Sequence, residues 1–380
     1  MINRMIETSI KANLNSGKAL IVMGARQVGK TTALHSILDN TTGVLWLNGD
    51  EPDTQGLFDA ATSSRLRAII GNNSIIVIDE AQRIPDIGSK LKLIIDYIPE
   101  VQLIASGSSS FELASKINEP LTGRKIEHRL FPISFGEMVL HHGLLEELRL
   151  LPHRMVFGYY PEVVTNLGDE KAILREISDS YLFKDVLISD AVKRSDGLVR
   201  LLQALAYQVG SQVSYTELGQ VSGLDYKTVE KYITLLEQSY VVFRLGSFSR
   251  NLRSELKKSR KIFFYDNGIR NALIANFTQL ESRTDTGALW ENFIISERMK
   301  VLHYHGIWAN SWFWRTTQQQ EIDYIEEKDG ELSACEFKWN PDAKARRPKA
   351  FFEAYPNSSY QLIHRNNFEN FLLVDDSASI

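Results

Sequence analysis

The chain has 380 residues, 43% hydrophobic and 24% charged, with a formal net charge of −4. That length suggests two or three globular domains, and the slightly acidic balance excludes a generally basic nucleic-acid coat, leaving only local basic patches for such contacts. The single cysteine, Cys335, excludes an intrachain disulfide and suits a reducing cytoplasm, and no window reaches about 18 uninterrupted apolar residues, so no membrane partner is expected.

The N-terminus is polar and reads as an amphipathic lead-in helix, not a signal peptide. Ala19 to Met23 suits a buried strand and runs into Gly24-Ala25-Arg26-Gln27-Val28-Gly29-Lys30-Thr31-Thr32, with the spacing G-x-x-x-x-G-K-T. Phosphate needs backbone N–H groups at close range, and the two glycines permit that approach. Lys30 supplies charge to the β- and γ-phosphates, and the Thr31 hydroxyl can ligate Mg²⁺. Thr31 to Leu38 then reads as a helix whose N-terminus faces the anion. The expected ligands are therefore ATP and Mg²⁺, with the loop from Gly24 to Thr32 as the ATP-binding segment.

Val44 to Asn48 reads as a second strand, Thr54 to Ile70 as helical, and Ile75-Ile-Val-Ile-Asp79-Glu80 as a buried parallel strand presenting carboxylates at its end. Asp79 is expected in the Mg²⁺ shell, and Glu80 is expected to polarise the attacking water. A strand from Val101 ends in small polar residues. Ser108 could hydrogen-bond the attacking water or the γ-phosphate, or equally cap a helix at Phe111. Arg124 precedes a fifth strand, Ile126 to Phe131. It is a candidate arginine finger across a subunit boundary, or a surface arginine neutralising a nearby carboxylate.

GARQVGKTT, IIVIDEAQRIPD, IASGSSSFELA, LTGR and LFPISFGEM resemble a prokaryotic group of AAA+ type ATPases that carry a trailing domain of unknown function. The resemblance implies an α/β, additional-strand P-loop core, with Glu80 as the water-activating residue after the Mg²⁺-site Asp79. It fixes the fold better than the task.

The expected domains are an ATPase domain over 1–150, a helical lid over 151–197 bearing an oligomer contact, a winged helix-turn-helix over 198–275 and a final α+β domain over 276–380. In the third, a second helix from Tyr226 to Glu237 carries Val229, Ile233 and Leu236 on one face, with Asp225 as its N-cap. It would offer Tyr226, Lys227 and Lys231 to a DNA major groove. The stretch from Ser249 to Lys261, with Arg250, Arg253, Lys257, Lys258 and Arg260, is a basic run suited to duplex phosphates. It would otherwise be a solvated loop, and the winged helix a packing module.

In the last domain Asp329-Gly330 is a hairpin turn that sets a register in which Asp323 faces Glu336 and Glu321 faces Lys338, all on one face, with Ile322, Phe337, Tyr324 and Cys335 on the other. Two facing carboxylates with a lysine two residues on suit metal-dependent phosphodiester cleavage, with a second Mg²⁺ or a Mn²⁺, and Glu291 could complete the shell from its helix. Asp323 with Glu336-Phe-Lys338 resembles the PD-(D/E)xK nuclease superfamily, which implies a nuclease-like scaffold. An amphipathic hairpin with a solvated face would show the same alternation. Lys344, Arg346, Arg347 and Lys349 add a basic loop nearby.

The expected function is an ATP-hydrolysing AAA+ type protein acting on DNA, self-associating into a ring or partial ring, with a nuclease-like tail. The alternatives are a nucleotide-controlled switch or a protein-remodelling ATPase whose tail only binds.

Overall fold

A computed structural model describes residues 2–59, 61–108, 117, 119–181, 195–249 and 259–374. It divides into two compact units, Met1–Pro132 with Gln238–Tyr240, and the remainder from Ile133 onward.

In the first unit, helix α1 (Ile6–Asn13) leads into β1 (Ala19–Met23) and α2 (Lys30–Leu38). Then come β2 (Val44–Asn48), α3 (Pro52–Phe58), α4 (Ser63–Ile70), β3 (Ile75–Asp79), α5 (Ile87–Tyr97), β4 (Gln102–Gly107) and β5 (Lys125–Arg129). The expected Thr54–Ile70 helix is two helices. Thr62 supplies the break, because its hydroxyl accepts from the Arg65 amide and starts a new helix. The five strands form one parallel sheet in the order β2-β3-β4-β1-β5. β4 is inserted between β1 and β3, the additional-strand arrangement. β1 and the apolar part of β3 are buried throughout, which is why both read as continuous apolar runs.

The second unit opens with α6 (Phe135–His142), α7 (Leu144–Phe157), α8 (Pro161–Thr165) and α9 (Glu170–Glu176). Ser134 and Glu137 form a capping box at the start of α6, so the LFPISFGEM stretch is a helix-start signal. Next come α10 (Ser195–Tyr207), β6 (Gln212–Val213), α11 (Tyr215–Ser222), α12 (Tyr226–Gln238), β7 (Val242–Ser247), β8 (Arg260–Phe264) and α13 (Asn267–Leu273). Asp225 caps α12 by accepting from the Thr228 amide at 3.0 Å, and Val229, Ile233 and Leu236 are buried.

The chain finishes with α14 (Thr286–Tyr304), β9 (Asn310–Arg315), β10 (Glu321–Lys328), β11 (Glu331–Lys338), α15 (Lys349–Ala354), β12 (Ser359–His364) and α16 (Glu369–Leu372). Strands β6 to β12 make one sheet, ordered β12-β11-β10-β9-β7-β8-β6. The strand expected at Tyr240–Leu245 as a wing is β7, an interior member of this sheet that pairs with β8 on one side and with β9 on the other.

Asp285, just before α14, accepts from Arg270 at 2.6 Å and from Arg283 at 2.8 and 2.9 Å. Arg270 also donates to the Ala206 carbonyl at 2.6 Å, so the ion triad ties α10, α13 and α14 together. Burial pushes the Asp285 carboxyl up, but the two guanidiniums outweigh it and hold it at about 2. A depressed carboxyl stabilises the fold above its unfolded value and loses that contribution as pH falls through its folded value. Wild type should lose on the order of 2 kcal/mol between about pH 4 and pH 2 from this group. In Asp285→Asn, urea midpoints followed against pH should lack that share of the acid limb.

Candidate functional site

The phosphate loop leaves β1 at the carboxyl edge of the first sheet. A Cβ on Gly24 would lie 2.1 Å from the Leu130 carbonyl oxygen, so glycine is required for the loop to pass the end of β5 as well as to approach a ligand. Gly29 has φ +90° and caps α2. Lys30 is buried, and its ammonium donates to the Gly24 and Ala25 carbonyls at 3.0 and 2.9 Å. The Thr31 hydroxyl donates to Asp79 Oδ2 at 2.6 Å. The two groups expected to hold Mg²⁺ are thus brought together, and both are the hard oxygen donors that cation takes.

Glu80 sits at φ +47°, and a Cβ on Gly49 would meet its carbonyl oxygen at 2.4 Å. Its Oε2 accepts from Gln82 Nε2 at 2.5 Å and from the Ser108 hydroxyl at 3.4 Å. Ser108 therefore lies beside the water-activating candidate; the helix expected at Phe111 lies outside the described residues. Three contributors escaped the sequence reading. Ser106 donates to Asp79 Oδ1. Gln82 holds Glu80. Arg4, buried in the lead-in segment, donates to the Val28 carbonyl at 2.7 Å and the Phe131 carbonyl at 2.6 Å, clamping the loop from behind. The Ser-Gly-Ser end of β4 and the Gln two residues after Glu80 were available signals; a lone arginine near the N-terminus carried none.

Arg124 is elsewhere. Its carbonyl accepts from the Ala19 amide at 2.9 Å, and Lys125 pairs with Ala19. It lies at the amino-terminal edge of the sheet, a full strand from the loop, and its guanidinium pairs with Asp96 at 2.8 Å. It does not enter this chain's own nucleotide site.

The second unit holds a different charged cluster. The Asp-Gly hairpin sets the expected register from Tyr324↔Cys335 to Lys328↔Glu331. A bulge between Ile322 and Ile325 then breaks the alternation. Two expectations fail there. Ile322 joins Ile325, Leu332 and Ala334 in one apolar cluster, leaving the Tyr324 face. Glu321 pairs with Lys261 and Arg315 instead of Lys338. Asp323 turns inward, its Oδ2 accepting from the Phe337 amide at 2.9 Å. Lys338 binds Glu336 at 2.6 Å and lies 4.0 Å from Asp323.

Lys261, from β8, enters the same cluster. Its ammonium is 2.8 Å from Glu291 and 2.7 Å from Glu321, with the side chain 2% exposed. Four carboxyls thus share two ammoniums in a largely buried site. Burial pushes Glu291 up to about 8, against the pull of Lys261, and burial likewise raises Asp323 and Glu336. Burial alone would lower Lys261, but Glu291, Asp323 and Glu321 hold it above its ordinary value. Among the described residues, no three His, Cys, Asp or Glu side chains are grouped to hold a metal ion.

Of the DNA-facing candidates, Tyr226, Lys227 and Lys231 are exposed on α12. Arg250, Arg253, Lys257 and Lys258 lie outside the described residues. Arg260 donates to the Tyr215 hydroxyl at 3.0 Å and lies 3.6 Å from Glu230, so it is engaged within the unit. A cavity of about 640 Å³ is lined by Gln320, Glu321, Arg346, Arg347, Pro348 and Lys349. Among the described residues no helix is long and apolar enough to cross a membrane.

Residues 16–139 match the family described as AAA domain. Residues 148–280 and 286–376 match two families described as domains of unknown function, DUF8612 and DUF4143. An uncharacterized protein of Mycobacterium tuberculosis is 26% identical over 334 residues, 87% of this chain and 72% of that protein. An uncharacterized protein of Methanocaldococcus jannaschii is 22% identical over 382 residues, 93% of this chain and 81% of that one. Among solved structures, a Walker-type ATPase of Pyrococcus abyssi is similar at TM-score 0.48 and 14% identity, over 72% of this chain and 94% of that one. Cdc6p of Pyrobaculum aerophilum is similar at TM-score 0.29 and 13% identity, over the same shares.

Proposed function

We propose that this chain, a prokaryotic AAA-type ATPase with a trailing domain of unknown function, hydrolyses ATP and uses the cycle to control engagement of DNA by its second unit. The observation that carries the ATPase half is the Thr31–Asp79 hydrogen bond beside Glu80. Mg²⁺ supplies charge neutralisation at the phosphates. Thr31 and Asp79 would hold it, and Lys30 would leave the loop carbonyls to pair with the β- and γ-phosphates. Glu80 would take the proton of the attacking water, oriented by Gln82 and Ser108. Arg124 faces away from its own loop, so a part in phosphoryl transfer requires a second copy, as in a ring or partial ring.

Phosphate release measured with Mg²⁺ tests this reading. Lys30→Ala should abolish turnover, and unchanged turnover would remove the ATPase half. The DNA half rests on exposed Tyr226, Lys227 and Lys231 on one helix and on the basic run that follows it. Duplex DNA should bind with an affinity that falls steeply with salt and should alter ATP turnover. Both effects should weaken in Lys227→Ala/Lys231→Ala; a salt-insensitive, unaltered interaction would remove this half.

For the nuclease-like tail, a metal-dependent cleavage site at Glu291, Asp323, Glu336 and Lys338 was the sequence expectation. The position of Lys261 favours the other reading, a scaffold that binds without cutting. Plasmid nicking with Mg²⁺ or Mn²⁺ that disappears in Asp323→Ala would restore cleavage.

A further inference from the structure

We infer that Lys261 is the resident cation of the C-terminal carboxylate cluster: its ammonium is bonded to Glu291 and Glu321, two residues along β10 from Asp323, and by filling that position it keeps divalent metals out. This concerns the second unit alone and stands whether or not the ATPase reading does.

The two bonded carboxylates come from separate elements, Glu291 from α14 and Glu321 from β10, and converge on a lysine from β8. An ammonium has three donors and one charge. Glu291 and Glu321 take two donors at 2.8 and 2.7 Å, distances of ordinary charge-assisted hydrogen bonds. The stem is buried beneath them, with the ammonium 5.4 Å from the centre of the Phe313 ring. β8 is held on both sides, by β7 and β6, so the ammonium is tethered at high effective concentration.

A divalent ion needs several oxygens at about 2.0–2.6 Å. To reach them it must displace an ammonium already bonded to two of them. Asp323 is committed to the Phe337 amide and Glu336 to Lys338, so the other carboxylates do not make a second set. The residues therefore do not fit the metal that the PD-(D/E)xK likeness implies. Lys261 ends a basic run suited to DNA phosphates; in the fold its ammonium is bonded to Glu291 and Glu321 of its own chain.

The test is Mn²⁺ binding to the full chain without nucleotide, read as loss of the free-Mn²⁺ paramagnetic resonance signal. Wild type and Asp323→Asn should bind alike, because the cluster contributes no site. Lys261→Met should gain one Mn²⁺ site per chain, at least about tenfold tighter than any binding by wild type. That site should vanish in Lys261→Met/Glu291→Gln, and Mn²⁺ should raise the melting temperature of Lys261→Met alone. Should Lys261→Met not fold, Lys261→Gln takes its place. Mn²⁺ binding by wild type that Asp323→Asn removes would overturn the inference. So would the absence of any gained site in the folded Lys261 variant.

Discussion

Replacing Glu80 with Gln is expected to lower ATP turnover about 100-fold or more while nucleotide stays bound. The substitution keeps the shape of the side chain and removes its capacity to take a proton. The surrounding geometry holds that side chain in place. Gln82 and Ser108 both donate to Oε2, and the backbone at φ +47° is boxed in where Gly49 leaves no room for a Cβ. Lys30, Thr31 and Asp79, which would carry the affinity, are untouched. Retention of a fluorescent ATP analogue and release of phosphate, measured on the same preparation, separate binding from chemistry. Near-normal phosphate release would assign water activation to another group. Loss of binding together with turnover would make Glu80 a structural residue.

Lys261→Met is expected to cost about 3–5 kcal/mol of stability, because removing one partner of a buried ion cluster leaves the others uncompensated. Methionine preserves the stem packing beneath Glu291 and Glu321, so the loss reports the charge. It should grow as pH rises. Glu291 already holds its proton up to about 8 with Lys261 beside it. A carboxyl whose folded value exceeds its unfolded one destabilises the fold increasingly as pH climbs between the two. Without the ammonium the cluster must hold still more protons. Denaturant midpoints at about pH 6 and pH 8 measure both effects. A loss under about 1 kcal/mol at both would mean that the four carboxyls do not depend on this lysine.

Much of the nucleotide site was legible because its signals are short-range. A loop that wraps an anion needs glycines at fixed offsets, and a strand presenting acids at its end needs an apolar run immediately before them. Hence Gly24 to Thr31 and Asp79-Glu80 carried both their identity and their spacing in the chain. The hairpin register was legible as well, since a two-residue Asp-Gly turn fixes the pairing on either side of it. The same rule failed beyond Tyr324 because a bulge is set by what the partner strand β9 requires, and no local pattern records that.

The sequence by itself determined the phosphate loop, the acid pair that faces it, the cap of α12, and the turn at Asp329-Gly330. Each is a matter of backbone dihedrals and hydrogen bonds closed within a few residues. Only the tertiary structure decided that β4 separates β1 from β3, that the expected wing is absorbed into a seven-stranded sheet, that Arg124 lies at the far edge from its own loop, and that Lys261 fills the C-terminal carboxylates. Those outcomes depend on which distant strand satisfies a free edge and on which buried charge finds a counter-ion. That free energy is settled by the assembled fold, and the one-dimensional pattern of a lysine in a basic run carries no trace of it.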